Sequence, residues 1–204
     1  RHLRVGDTDV EAEYVVVATG AAPVPLPFPA GELALTSADF LELDDLPARL
    51  VFLGAGYVAT ELAGVAHTAG AHVTLLEMAP RILPAFDPDH AAKLAGLMRT
   101  AGLDLRLEHR VTRIEARDGE LAVHAEHGGV TSVVACDLAV HGLGRRPRLA
   151  DLDLDQASVA HDENGIAVDD DLRSTSNPQV LAAGDCAASG LWPLTPAAEH
   201  EARI

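Results

Sequence analysis

Apolar residues in this chain fall into short blocks whose spacing alternates between two patterns. Leu50–Leu53 (LVFL) is an unbroken apolar run, as expected of a strand buried on both faces. From Val58 the spacing changes: Val58, Leu62, Val65, Ala66 and Ala69 recur at helical intervals until Gly70 supplies a stop. HVTLLE then reads as a second strand. Strand, helix and strand in so short a span predict a right-handed βαβ unit on a parallel sheet. Asp87-Pro88 opens another helix, with Asp87 as cap and Pro88 in the first turn. Leu94, Leu97 and Met98 share one face of it, and Gly102 ends it. LDLRLE, RVTRIEA, LAVHAE and TSVVAC alternate apolar and polar residues between Asp-Gly and Gly-Gly turns. They predict an antiparallel ribbon attached to the parallel sheet. DLAVHGLG is one more apolar strand.

The flanks read differently. HLRV, the turn GDTD and VEAEYVVVATG predict a hairpin whose second arm is a buried strand ending at Gly20. Pro23, Pro25, Pro27 and Pro29 follow at every second position, which disfavours helix and ladder bonding and predicts an extended linker at a domain boundary. LTSADFLELDDLP carries a helix start, with Ser37 or Asp39 as cap. After GRRPR come IAVD, the turn-rich STSNP, and QVLAAGD, a strand running into Gly184-Asp185. The fold class expected is α/β.

At 204 residues and 48% hydrophobic composition, the chain can build one ordinary domain or two small ones. The net charge is −16 and Lys93 is the single lysine, so a nucleic-acid partner is excluded on electrostatic grounds. No apolar run approaches membrane-spanning length and no leader pattern is read, so no membrane partner and a cytoplasmic setting are expected. Cys136 and Cys186 lack any disulfide-framework or CxxC spacing, in keeping with a reducing compartment. Arg1 reads as lying inside a strand and Ile204 inside a helix, so both ends are expected to be cuts in a longer chain. His67, His72, His90, His124 and His127 do not converge with cysteine or acid partners, and no metal site is expected.

The chemistry sits in the βαβ unit. Gly54 and Gly56, with Ala55 between them and Tyr57 and Val58 after, fit the first two glycines of a dinucleotide fingerprint, and Ala59 takes the third place. The first glycine allows the tight turn, the second lets a pyrophosphate approach the backbone, and the small third residue lets helix and strand pack closely. The helix start offers N–H groups and positive dipole to phosphate. Glu77, about twenty residues on, ends the next strand where a carboxylate can accept bonds from ribose hydroxyls. That acid, followed by Met78 rather than arginine, favours NAD over NADP, with Arg81 as the nearby counterweight. A plain βα turn with a surface glutamate is the alternative.

With YVVVATGAAPVPLP, DLPARLVFLGAGYVATELA, VTLLEMAPRILPAFD, GLGRRP, VLAAGDCA and LTPAAEHEAR in this order, the chain resembles the flavin-dependent pyridine nucleotide–disulfide oxidoreductases. That group contains glutathione reductase, dihydrolipoamide dehydrogenase and mercuric reductase. The resemblance implies a Rossmann-like doubly wound parallel sheet with an antiparallel β-ribbon, inserted into an incomplete FAD/NAD(P)-binding domain. Residues 23–144 would be the NAD(P) domain, and residues 1–22 and 145–204 parts of the FAD domain.

It also implies roles. Tyr57 would cover the flavin where nicotinamide stacks. Glu61 would lie near the nicotinamide amide and pair with a lysine outside this chain. Gly144, with Gly142 nearby, would pass close to the nicotinamide ribose. Thr19-Gly20 would lie near the FAD, Asp185 after Gly184 would accept a bond from a ribitol hydroxyl, and the helix start at Thr195-Pro196 would face the flavin pyrimidine edge. The family's redox CxxxxC pair and acid/base histidine have no counterpart here, so no catalytic residue is assigned, and this chain alone is expected not to turn over. The intact enzyme is expected to be a homodimer that passes electrons between NAD, FAD and a disulfide substrate. Alternatives are a flavin reductase of a quinone, an iron–sulfur protein or oxygen, and a non-catalytic nucleotide-binding module.

Overall fold

The structure is a computed structural model that describes residues 2–204; Arg1, expected inside the opening strand, lies outside them. The chain divides into two compact units. One runs to Ala22 and resumes at Arg145–Ile204; the other is Pro23–Gly144.

The first unit opens with β1 (His2–Val5) and β2 (Thr8–Glu11), a hairpin with Val5 opposite Thr8. β3 (Val15–Val17) is a separate strand, and this corrects the reading of one long second arm. The Val15 N–H leaves the hairpin and donates to the Gln179 carbonyl instead. The proline-rich stretch also differs from expectation, because its first residues form β4 (Ala21–Pro23) before the remaining prolines follow outside any strand. Proline is tolerated there because it ends the strand.

In the second unit, α1 (Ser37–Leu41) is capped by Thr36, not by Ser37 or Asp39. The Thr36 hydroxyl accepts the Asp39 N–H while the Asp39 carboxylate accepts the Thr36 N–H, a reciprocal capping box. β5 (Arg49–Leu53), α2 (Tyr57–Thr68) and β6 (His72–Leu76) form the βαβ unit, its two strands paired in parallel from Arg49 opposite His72. α3 (Pro88–Ala101) starts on Asp87, whose carboxylate accepts the Asp89 and His90 N–H groups, and stops at Gly102 with φ 107°. LDLRLE yields β7 (Asp104–Arg106), a parallel edge strand beside β6 and not part of the ribbon. The ribbon is three-stranded: β8 (Arg110–Arg117), β9 (Glu120–His127) and β10 (Val130–Cys136). β11 (Leu138–His141) returns to the sheet on the free side of β5, completing the order β11-β5-β6-β7.

Strand alternation sorts the core of this unit into two layers. Leu50, Phe52, Val73 and Leu75 pack with Ala59, Ala63 and Ala66 of α2 and Ala91, Ala95 and Met98 of α3. Val51, Leu53, Leu76 and Ala139 pack on the other face with Ile114, Val123, Ala125 and Val134 of the ribbon. The ribbon thus covers the sheet face opposite α2 and α3. The helix faces are corrected too. Val65, Ala69 and Leu97 are exposed, and small alanines make the buried stripes because they let the helices lie close to the sheet.

The first unit resumes with β12 (Arg145–Pro147), paired with β4, then the short hairpin of β13 (His161–Asp162) and β14 (Gly165–Ile166). β15 (Val180–Ala182) pairs in parallel with β3, and α4 (Thr195–Glu201) follows. Ile204, expected inside a helix, lies beyond the end of α4. No helix is long and apolar enough to cross a membrane, among the described residues.

Phe52 is fully buried, with its ring 5.6 Å from that of Phe40 in an edge-on arrangement. Phe52→Ala is expected to cost about 3–5 kcal/mol, read as a lower urea midpoint with an unchanged slope. A loss below about 1 kcal/mol would show that this face repacks.

Candidate nucleotide-binding site

Two turns meet at the carboxyl ends of β5 and β11. The chain leaves β5 through α2 toward β6, whereas β11 lies on the opposite side of β5. Open parallel sheets leave a crevice where the winding changes direction in this way. Gly54 turns the chain at φ +92°, and a Cβ there would sit 2.9 Å from the Gly142 carbonyl oxygen and 3.0 Å from Leu143 Cδ2. The Gly142 N–H donates to the Leu53 carbonyl at 2.8 Å. A Cβ on Gly142 would come within 2.5 Å of the Ala59 Cβ. Gly142 therefore serves a packing contact beneath the glycine turn. Gly144, at φ +117°, has open space where a side chain would begin, and its carbonyl accepts the Val24 N–H at 3.1 Å.

α2 begins directly on this turn. Gly56 is its N-cap in extended conformation, so no side chain caps the first-turn N–H groups. Ala55 is fully buried and Val58 half-buried. Tyr57, 38% exposed, and Glu61, also exposed, stand one turn apart on the same side of the helix. The Glu61 side chain makes no hydrogen bond or ion pair among the described residues.

Glu77 is held from four directions. Its backbone N–H donates to the Arg106 carbonyl and its carbonyl accepts the His109 N–H. Its carboxylate accepts the Ala55 N–H at 2.6 Å on Oε2 and the Ala79 N–H at 2.7 Å on Oε1. The acid thus ties the glycine turn to the segment after β6, and each oxygen keeps a lone pair for a further donor. The Leu83 N–H bonds the Ala55 carbonyl at 2.8 Å, closing the same segment onto the turn. Arg81 is committed within that segment, donating to the carbonyls of Pro84 and Phe86.

In the first unit, the Thr19 hydroxyl donates to the Arg148 carbonyl at 2.8 Å, and the Gly20 carbonyl accepts the Arg148 N–H. Gly184 has φ 73°, and its N–H donates to the Glu201 carboxylate at 2.5 Å. Glu201 is buried and also accepts the Ser189 hydroxyl. Asp185 is half-buried and its side chain makes no hydrogen bond or ion pair among the described residues. Thr195 is exposed at the start of α4, which spans 7 residues.

The chain as a whole is similar to known proteins. Residues 1–202 match the family model described as "Pyridine nucleotide-disulphide oxidoreductase". The chain belongs to the pyridine nucleotide-disulphide oxidoreductase family. It is 34% identical over 199 residues to a glutathione reductase of Burkholderia cepacia, covering 98% of this chain and 43% of that protein. It is 36% identical over 191 residues to a dihydrolipoyl dehydrogenase of Thermus scotoductus, covering 92% and 41%. The solved structure of the HOCl-induced flavoprotein disulfide reductase RclA from Escherichia coli superposes with a TM-score of 0.89 at 31% identity, covering 100% of this chain and 46% of that one. The chain thus spans less than half the length of these relatives.

As a member of this oxidoreductase family, the chain shows two site features that its residue pattern left unannounced. Glu201 and His141 are buried polar residues beside the Gly184 and Gly142 turns. A lone histidine within the apolar DLAVHG run was the visible signal for the second. Both cysteines are buried and unpaired. Burial pushes the Cys136 thiol up to about 11, and the Cys186 thiol donates to the Val17 and Ala183 carbonyls. His124 is buried with its Nε2 3.2 Å from Glu115, and His109 stacks on His127 at 4.7 Å. Gly142→Ala is expected to destabilise the Pro23–Gly144 unit by about 1–3 kcal/mol, because the added methyl collides with Ala59. Adding Ala59→Gly should recover part of that loss in thermal unfolding; no recovery would place the clash on the Leu53 carbonyl instead.

Proposed function

We propose that Pro23–Gly144 is a Rossmann-like NAD-binding domain and that the first unit contributes part of an FAD-binding domain. The observation that carries the reading is the bond from the Ala55 N–H to the Glu77 carboxylate. It brings a ribose-binding acid and a phosphate-binding turn to one place at the switch point of the sheet. The free start of α2, with Gly56 in place of a capping side chain, leaves room and donors for a pyrophosphate. The remaining lone pairs of Glu77 would accept the adenosine ribose hydroxyls. A 2′-phosphate would meet this carboxylate, while Arg81 is engaged by its own loop, so NAD is favoured over NADP.

Tyr57 and Glu61 stand exposed on one side of α2, which supports their assignment to the nicotinamide end, and Gly144 has the open approach that a ribose would need. The half-buried Asp185, whose side chain has no partner among the described residues, would accept a ribitol hydroxyl, and Thr19, Gly20 and Thr195 are assigned to the same FAD part. Bound nicotinamide and flavin would supply the hydride chemistry, and this chain's residues would bind and orient them. We further infer that the protein works as a homodimer and that it passes the electrons to a disulfide; the second part is in keeping with its similarity to the flavoprotein disulfide reductase RclA.

Titration of the chain with both dinucleotides tests the reading. NADH is expected to bind roughly tenfold more tightly than NADPH, and Glu77→Gln to narrow that ratio. Tighter NADPH binding would overturn the assignment of Glu77.

A further inference from the structure

His141 ends β11 with its ring buried, and both ring nitrogens are engaged by backbone. Nε2 lies 2.7 Å from the Val24 carbonyl, so it carries the proton and donates. Nδ1 accepts the Leu143 N–H at 3.0 Å. Both bonds are satisfied together only by the neutral Nε2–H tautomer. The Val24 N–H closes the loop by donating to the Gly144 carbonyl. One imidazole therefore sets the orientation of the Leu143 peptide and of its neighbours Gly142 and Gly144. Those neighbours matter because the Gly142 carbonyl and the Leu143 side chain form the wall against which Gly54 turns.

We infer that His141 is a positioning residue of the nucleotide site, holding the Gly142–Gly144 backbone in place for the glycine turn and the dinucleotide it receives. The inference rests on the NAD reading above. Protonation of Nδ1 would set donor against donor at Leu143, and the peptide would have to turn away. Charged groups on the elements packed against β11 are Arg49 on β5, Asp39 on α1, and Glu120, Glu126, His124 and His127 on β9. None of them shifts the ring: burial pushes its pKa below the ordinary histidine range, and the Val24 carbonyl opposes this in part. A histidine depressed in the folded state contributes stability that is fully present above its ordinary pKa of about 6.5 and is lost as pH falls through the folded value.

The test measures NAD⁺ binding by calorimetry from about pH 5 to pH 8 for the wild type, His141→Gln and His141→Ala, with protection of the Leu143 amide against hydrogen exchange followed without nucleotide. Wild-type affinity is expected to be flat above neutrality and to fall about tenfold on acidification, with Leu143 protection falling at the same midpoint. His141→Gln, whose amide can donate to Val24 and accept from Leu143, should bind nearly as well as wild type at neutral pH and lose the acid limb. His141→Ala should bind about tenfold more weakly throughout. A wild-type profile that matches that of His141→Gln, or Leu143 protection that ignores pH, would overturn the role of His141 alone. Failure of the wild type to bind NAD⁺ at every pH would overturn the nucleotide reading, and the inference with it.

Discussion

The contact of Gly142 with Ala59 and with the Leu53 carbonyl leaves no room for a single extra carbon, and the upper end of the Pro23–Gly144 unit is organised around it. Because the β11 turn lies directly on the first turn of α2, the glycine turn after β5 has a wall on one side and the helix axis on the other. Gly54 then adopts a left-handed backbone that only glycine takes without strain. A sheet whose winding reverses beside β5 creates a crevice, and close packing of Gly54, Gly142 and Ala59 brings backbone up against it.

Polar groups around that crevice are almost fully accounted for by the backbone. Glu77 accepts two N–H groups, Arg81 donates to two carbonyls, and His141 does one of each. Such groups cannot rearrange cheaply, because a buried donor or acceptor left unpaired costs about 1–3 kcal/mol. These bonds set the loops by themselves, which would lower the ordering cost of binding a ligand there. Tyr57 and Glu61 are the contrast: they are exposed and lack such anchors. Groups left free in an otherwise satisfied site are the ones available to a partner.

At the opposite end of the sheet, Arg49 joins the strand to the ribbon. Its guanidinium bonds Asp137 ahead of β11 and Glu120 at the ribbon turn, and the Asp137 carboxylate also accepts the Arg49 N–H. The Arg49 side chain beside Asp137 holds that carboxyl below the usual carboxylate range, so this link is present at neutral pH and is lost as pH falls through the lowered value. The local charges and small side chains account for how tightly these elements are joined.

Much was legible in the residue order because it depends on neighbours along the chain. The βαβ unit, the Asp87-Pro88 helix start, the Gly102 stop and the glycine fingerprint each follow from spacing, capping chemistry or backbone freedom within a few residues. Other features were decided only when distant segments met. β7 became a sheet edge because β6 offered it an unpaired ladder, and the Thr36 cap prevailed because its hydroxyl and Asp39 complete a reciprocal pair. Alanines displaced Val65 and Leu97 from the buried faces because close helix–sheet approach rewards small size over hydrophobicity. Glu201 showed no periodic or motif signal, and the roles of both it and His141 depend on partners set by folding, Gly184 for Glu201 and Val24 for His141. The sequence by itself determined the βαβ unit, the Asp87-Pro88 helix and the place of the glycine turn, since those rest on local geometry. Tertiary structure decided which polar groups are already satisfied and which stay open, since that depends on what folding brings within hydrogen-bond reach.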